Sequence, residues 1–459
     1  MSTQSITFQE DSAKKASDLV HRKKINFNIS KYNRTVEKGI QQYEDLELAR
    51  ERTKNIKWSA IENLDKNLIS FETNFTKRGG KVIWAKDDKE AIEEIFKIIK
   101  EKNAKVVVKA KSMATEEIEL NRELEKENIE VFETDLGEFI VQLAGEKPYH
   151  IVTPAMHKSK EDVAELFEEK LGAPPNMTPE DMTMLAREKL RQKYLEADIG
   201  FSGANFLLAD IGGIAITENE GNARLTTTFP KTHIVIVGIE KIISSVKELS
   251  HIWPLLATFG TGQELTVYNT ILTGPRQEDE DDGPEEMYVI LLDNGRTELL
   301  AKEEQREALY CIRCGACLNV CPVYKNIGGH AYKTTYSGPI GSVITPHMQG
   351  MEEFKHLSFA SSLCGSCTEV CPVKINLHEM LLLNRRDAVK SGKAPFSEKL
   401  TMFFWRQGMM HRSWINALSY SMKNFGLKLL NKNAWNKNRE FPTIPKKSFN
   451  QMWRKKGRE

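Results

Sequence analysis

None of the 459 residues outside Cys311–Cys371 is a cysteine, and all seven cysteines fall within that stretch. This excludes a secreted disulfide framework, which spreads paired cysteines across a chain. Long apolar runs are also missing. The best candidate, His233–Val246, is interrupted by Gly238, Glu240 and Lys241 and falls short of the roughly 18 residues that span a bilayer. The opening MSTQSITFQEDSAKK has no apolar stretch of the kind a secretory signal needs. There is no charge excess of either sign, 65 Lys+Arg standing against 64 Asp+Glu for a net +1, which argues against bulk nucleic-acid binding. Gly200, Gly203, Gly212 and Gly213 are spaced G-x2-G-x8-G-G, without the G-x-G-x2-G that opens a dinucleotide site. No flavin or nicotinamide site is therefore expected. The expected location is cytoplasmic, with any membrane contact peripheral and at the inner face.

What is present is organised unevenly. The length allows two or three domains. From Pro395 to the end there are 14 Lys/Arg and 3 Asp/Glu, about +11, so the remainder sums to about −10. Residues 1–64 are polar and helix-prone, with a basic patch at His21–Lys24, and read as a helical arm. Strand-like runs at Lys81–Trp84, Ala104–Val108, Phe206–Ala209, Gly213–Thr217, Thr232–Val237 and Tyr288–Leu292 alternate with helical segments such as Lys89–Lys100. That alternation predicts an α/β domain with a parallel or mixed sheet over 65–296. The acidic Gly274–Glu286 is expected as a surface excursion. Thr297–Tyr310 and Asn376–Lys390 read as helices flanking a cysteine-bearing module at 297–392. Residues 393–459 form a basic tail.

The cysteines carry the chemistry. Cys311, Cys314, Cys317 and Cys321-Pro322 make a complete C-x2-C-x2-C-x3-C-P run. Two-residue gaps let one loop wrap three corners of an iron–sulfur cube, and the fourth cysteine points to the other cluster in two-cluster ferredoxins. Cys364, Cys367 and Cys371-Pro372 repeat the last three positions, with Ser361 where the first would stand. Crossed ligation then gives one [4Fe–4S] cluster Cys311, Cys314, Cys317 and Cys371, and the other Cys321, Cys364 and Cys367. The second site is one thiolate short. Three outcomes stay open: Ser361 or an outside oxygen ligand, a fourth iron left to solvent or a partner, or a three-iron cluster. Sulfur is the softer and preferred donor. Zinc held by two C-x2-C knuckles leaves the third cysteine of the first run and both Cys-Pro endings unexplained. A radical-generating cluster uses C-x3-C-x2-C, the reverse of Cys364–Cys371. Clustered thiolates suit a reducing compartment.

The 42 residues between Cys321 and Cys364 exceed what a compact β-type ferredoxin spends there, and the arrangement resembles the α-helical ferredoxins of respiratory dehydrogenases and heterodisulfide reductases. The segment Ala197–Ile243, with KAKSMATEEIELN (Lys109–Asn121) and GPRQ…DNGR (Gly274–Arg296), resembles the lactate-utilisation domain, related in fold to sugar-phosphate isomerases and CoA transferases. Together with the cysteine motifs and the tail, residues 65–459 are similar to the lactate utilisation protein B family. The resemblance implies an electron carrier in oxidation of L-lactate to pyruvate. It also implies partner subunits and a quinone-linked or other respiratory acceptor, and a shared seven-cysteine pattern. Lactate oxidation is a two-electron step and a cluster takes one electron at a time, so a partner should carry the two-electron centre. The alternative is an α/β domain that itself turns over an acid or thioester, with structural or regulatory clusters.

Weaker candidates carry bland alternatives. Glu218–Arg224 follows a strand and could hold an anion through Arg224, or present Glu218 or Glu220 as a nucleophile; a tight turn with a surface arginine is the commoner explanation. Lys109, Lys111 and Ser112 could join that pocket or lie in a solvated loop. His330, His347 and His356 could serve the second cluster, although hydrogen-bonded structural histidines are commoner. No catalytic set is assigned. In the tail, Phe403, Phe404, Trp405, Trp414, Tyr420, Phe425, Trp435, Phe441, Phe449 and Trp453 suit either a helical core or docking on a partner or an anionic membrane. No nucleic-acid motif accompanies them.

Overall fold

The β-branched runs of the central region become six parallel strands, in the order β1-β10-β7-β4-β2-β3. These are β1 Lys81–Ala85, β2 Val106–Lys109, β3 Glu130–Glu133, β4 Ile199–Ser202, β7 Thr232–Gly238 and β10 Glu286–Leu292. A smaller sheet, β8-β5-β6-β9, joins β5 Phe206–Leu208, β6 Gly213–Glu218, β8 Ile242–Ile243 and β9 Tyr268–Leu272. The computed structural model describes residues 2–393, 396–411, 413–414, 418–434 and 443–456, and divides into two units, Met1–Ser391 and Gly392–Glu459.

Strand alternation sorts side chains onto two faces. On β7 and β10, Ile234, Ile236, Ile290 and Leu292 pack with Ile95 and Ile99 of helix Asp88–Lys102. Val235, Val237, Val289 and Leu291 belong to the opposite core, shared with the small sheet and the cysteine module. Both faces being covered, the central strands read as continuous apolar runs. The strand expected at Ala104–Val108 starts later because Asn103 turns left-handed (φ 50°) and the Ala104 N–H closes the preceding helix on Ile99 O at 3.0 Å.

The N-terminal residues are helical, as Thr3–Ser17, Leu19–Gly39, Leu46–Glu62 and Leu64–Lys77. Asp18 separates the first two by accepting the His21 N–H at 2.9 Å. Rather than projecting as an arm, they bury Phe8, Ile25, Ile29 and Ile61 in the core that contains Cys314 and Cys317. The segment expected as one helix over Thr297–Tyr310 is broken into Arg296–Leu300 and a tighter turn at Arg306–Tyr310. Gln305 lies between them, drawn inward to donate to Asn384 Oδ1 at 2.8 Å. Helix Leu377–Lys390 closes the module.

The second unit holds helices Phe396–Met410, Tyr420–Ala434 and Phe449–Lys456. Most of its described aromatics do not form a core: Phe403, Phe404, Trp405, Trp414, Phe425, Phe449 and Trp453 are each more than half exposed. Trp435 and Phe441 lie outside the described residues. Among those described, no helix is long and apolar enough to cross a membrane.

Candidate functional site: the cysteine module and the adjoining cavity

The two cysteine loops share one backbone design. Arg313 (φ 60°) and Gly315 (φ 80°) flank Cys314, and Leu363 (φ 53°) and Gly365 (φ 83°) flank Cys364. These paired left-handed positions fold each loop back on itself. A short helix follows in each case, Ala316–Val320 or Ser366–Val370, and ends at Cys-Pro. The two helices pack against each other.

That packing sorts the thiols into two sets. Cys311, Cys314, Cys317 and Cys371 line one small cavity walled by Ile340, Val373 and Ile375. Cys321, Cys364 and Cys367 lie within electrostatic reach of one another. Each set draws on both motifs. Burial pushes the Cys314 and Cys317 thiols well up, Cys371 to about 12 and Cys367 to about 11. Cys364 is exposed, and hydrogen bonding with Ser366 and Ser362 holds its thiol below the ordinary value. Buried thiols facing an apolar hollow, with no carboxylate or imidazole among the hollow's walls, fit an iron–sulfur cube, whose assembly displaces the protons. Ser361 Oγ accepts the Leu363 N–H at 3.2 Å; its neighbour Ser362 is the serine that reaches Cys364.

A cationic shell surrounds the first set. Arg50 donates through Nε and Nη2 to Cys371 O at 3.2 and 2.8 Å, and through Nη2 to Glu369 O at 2.6 Å. Lys57, fully enclosed, donates to Glu240 O at 2.6 Å and Ile242 O at 3.3 Å, and burial lowers its pKa to about 7. Arg296, 2% exposed, is bidentate to Glu117 at 2.9 and 2.8 Å and also donates to Glu240. Glu240 is approached by Arg313 at 3.3 Å. Burial would raise the Glu240 carboxyl, but Arg296, Arg313 and Lys241 override it and hold it at about 2. This chain of charges ties the sheet to the first cysteine loop.

Beside that loop lies a cavity of about 380 Å³ at the C-terminal ends of β2, β4 and β7. From β2 the chain runs outward to β3, whereas from β4 it turns the other way to β7 and β10. The crevice between β2 and β4 is thus the topological switch point, where open α/β sheets place ligands. Lys111, Ser112, Glu218, Glu220, Lys241, Arg313 and Cys314 all face the cavity.

The weaker sequence candidates divide accordingly. Lys111 and Ser112 reach the cavity, Lys111 while donating to Ile151 O at 2.6 Å. Lys109 does not: it is fully buried between Glu116 and Glu133, at 2.9 and 2.8 Å. Glu218 accepts the Ala223 and Arg224 amides at 2.8 and 2.9 Å, which starts helix Asn222–Thr228. Arg224 is exposed, its guanidinium 5.5 Å from the Tyr268 ring centre, and does not line the cavity. The three histidines have structural partners: His330 Nε2 on Lys147 O at 2.7 Å, His347 Nε2 on Asn384 Oδ1 at 2.8 Å, and His356 Nδ1 on Glu353 O at 3.0 Å. The residues missed from sequence are Arg50, Lys57, Lys241, Arg296 and Arg313. Lys241, Arg296 and Arg313 lie in segments that the sequence singles out, whereas Arg50 and Lys57 lie in none.

Residues 68–292 match the family model described as LUD domain, and residues 307–375 match the 4Fe-4S dicluster domain. Lactate utilization protein B of Bacillus subtilis (strain 168) is 50% identical over 355 residues, covering 77% of this chain and 74% of that protein. The protein of the same name from Anoxybacillus flavithermus is 43% identical over 417 residues, 88% of each chain. A solved structure of a DUF162 family protein from Deinococcus radiodurans aligns with 50% of this chain and 98% of that one, at 15% identity and a TM-score of 0.27, too low to support any argument. With a LUD domain followed by an iron–sulfur module, and close to half its aligned residues shared with these relatives, the chain belongs to the lactate utilisation protein B family.

Proposed function

We propose that this chain is the electron-relay subunit of a multi-protein system oxidising L-lactate to pyruvate. It would take electrons from a partner that holds the two-electron centre and hand them toward a respiratory acceptor. Cys311, Cys314, Cys317 and Cys371 hold one [4Fe–4S] cluster; Cys321, Cys364 and Cys367 hold a second, completed by a non-cysteine ligand or carrying three irons. Such clusters supply one-electron transfer without moving atoms. The observation that carries this reading is the division of seven thiols into two sets, each drawing on both motifs. Buried walls around the first set and the exposed Cys364 in the second suit a relay with one protected and one accessible end. The assigned segments are the helical region 1–64, the α/β domain 65–296 of CoA-transferase-like fold, the ferredoxin-type module 297–392 and the basic tail 393–459. The tail's exposed aromatics among basic residues favour peripheral docking at the inner membrane face or on a partner.

The test is anaerobic reconstitution with iron and acid-labile sulfide analysis, electron paramagnetic resonance, and lactate-driven reduction with and without the partner proteins. Two clusters, reduced by lactate only when partners are present, are expected. Colourless protein carrying zinc and no sulfide would overturn the reading. Turnover of lactate by the isolated chain would favour a second reading, an enzyme in its own right, for which the cavity beside Glu218 and Glu220 speaks.

A further inference from the structure

The second thiol set offers three cysteines to a cube that takes four donors, and the first motif shows where a fourth belongs. There, Cys311 stands three residues before Cys314, and its Sγ accepts the Arg313 N–H at 3.4 Å. In the second motif Ser361 stands three residues before Cys364, and its Oγ accepts the Leu363 N–H at 3.2 Å. The backbone repeats as well. The angle φ is 60° at Arg313 and 53° at Leu363, then 80° at Gly315 and 83° at Gly365. Each loop opens a helix of five residues, Ala316–Val320 or Ser366–Val370. Cys311 and Ser361 are both half-buried. Spacing, hydrogen bond, backbone and burial therefore give the Ser361 hydroxyl the place in its loop that the Cys311 thiol has in the other, where it lines the hollow of the first set.

The surroundings suit an ionised oxygen. Arg385 donates through Nε to Ser358 O at 2.9 Å and through Nη2 to Ser361 O at 3.3 Å. This pins the chain just before the loop and brings a permanent positive charge to the serine, which favours its anionic form. Ser362 is not equivalent: it is exposed, lies one residue out of register and is spent on the Cys364 thiol. The competing donor is His356. Its Nδ1 donates to Glu353 O at 3.0 Å, which leaves a bare Nε2, buried and without a partner. Its ring, however, packs 5.2 Å from that of Phe8, and the matching position five residues before Cys311 is Arg306, which ligates nothing.

We propose that Ser361 is the fourth ligand of the second cluster, bound through Oγ as an alkoxide at the corner that Cys311 takes in the first. As the Fe–O bond forms, the hydroxyl proton passes to solvent and no electron moves. The assignment rests on the electron-relay reading and deepens it, because it makes the two stations of the relay chemically unequal. Oxygen is a harder donor than thiolate and favours ferric over ferrous iron. The second cluster therefore accepts an electron less readily than an all-cysteine version would, and the iron held by oxygen is the one released first.

The experiment compares full-length, anaerobically reconstituted wild type with Ser361→Ala, Ser361→Cys, Ser362→Ala and His356→Gln. Iron and acid-labile sulfide, Mössbauer and resonance spectra, the potential of each cluster and thermal melting are measured for all. Wild type should hold about eight irons per chain, one of them with a Mössbauer signature distinct from thiolate-held iron. Ser361→Ala should lose about one iron and show a three-iron resonance, with the first cluster and the melting curve unchanged. Ser361→Cys should keep every iron and raise the potential of the second cluster alone. Ser362→Ala and His356→Gln should match wild type. The proposal is overturned if Ser361→Ala keeps the iron content, spectrum and potential of wild type, or if Ser361→Cys leaves the potential where it was. It is equally overturned if wild type already carries a three-iron second cluster, or if His356→Gln is the variant that loses iron. Protein that relays electrons with a three-iron second cluster sinks the serine ligand and leaves the relay standing. Protein with the oxygen-held iron in place that lactate and partners never reduce does the reverse.

Discussion

Replacing Arg296 by Met tests whether the buried charge chain fastens the α/β domain to the cysteine module. Arg296 is 2% exposed and makes two bonds to Glu117, one to Glu240 and one to Asp293 O at 3.0 Å. Methionine fills similar space but leaves two buried carboxylates without their main counterion, a change that typically costs about 3–5 kcal/mol. Both keep some support. Tyr336 OH and Asn294 Nδ2 still donate to Glu117, at 2.6 and 2.7 Å, and Arg313 stays 3.3 Å from Glu240. The lower end, about 3 kcal/mol, is therefore expected. With roughly 2.1 cal/mol/K of unfolding entropy per residue over the 391 residues of the first unit, this lowers the melting temperature by about 4 °C. The pH dependence adds a sharper criterion. Glu240, held at about 2 against an ordinary 4.5, contributes stability that is present above 4.5 and is lost as pH falls toward 2. Without Arg296 its carboxyl rises and can take up a proton at milder acidity, so the gap between wild type and variant should narrow from pH 7.5 to 5.5. Melting curves followed by near-ultraviolet circular dichroism measure both effects. A melting temperature within about 1 °C of wild type, or a gap that widens on acidification, would refute the reasoning.

Three further expectations follow from the thiol sets. Cys371→Ser should perturb the resonance signal of the cluster proposed for Cys311, Cys314 and Cys317, although these lie in the other motif; Cys364→Ser should spare it. A limited dose of ferricyanide should remove iron first from the Cys321, Cys364 and Cys367 site, because Cys364 is exposed; Mössbauer spectra taken across the titration will show which signal fades first. Arg50→Gln removes the charge-assisted bonds to Cys371 O and Glu369 O. It should destabilise by about 2–3 kcal/mol, read by thermal melting, and lower the first cluster's potential, read by redox titration, since a nearby cation favours the reduced form.

How far the sequence carries depends on the range of the interaction that decides each feature. The cysteine loops were legible because two-residue gaps and a closing proline fix local geometry, and the matching left-handed pairs around Cys314 and Cys364 are the structural expression of that repeat. β7 and β10 were legible because strands covered on both faces must be apolar throughout. β3 and β9 were not, since EVFE and YNTIL lie at sheet edges with half-exposed faces and carry no such run. Lys109 and Lys111 looked equivalent from the loop they share, yet one is consumed by buried glutamates and the other faces the cavity. The cationic shell was hidden most deeply. Arg50 lies 321 positions before Cys371, and Lys57 lies 183 before Glu240, so no periodicity or spacing could connect them. These two residues also explain why the N-terminal helices pack inward. A polar amphipathic segment read by itself resembles a free arm, but its buried cations have their partners on the cysteine module and the sheet. The helices are thus part of the electrostatic environment of the first thiol set. If that view holds, removing either cation should disturb the first cluster before it disturbs the fold of the α/β domain.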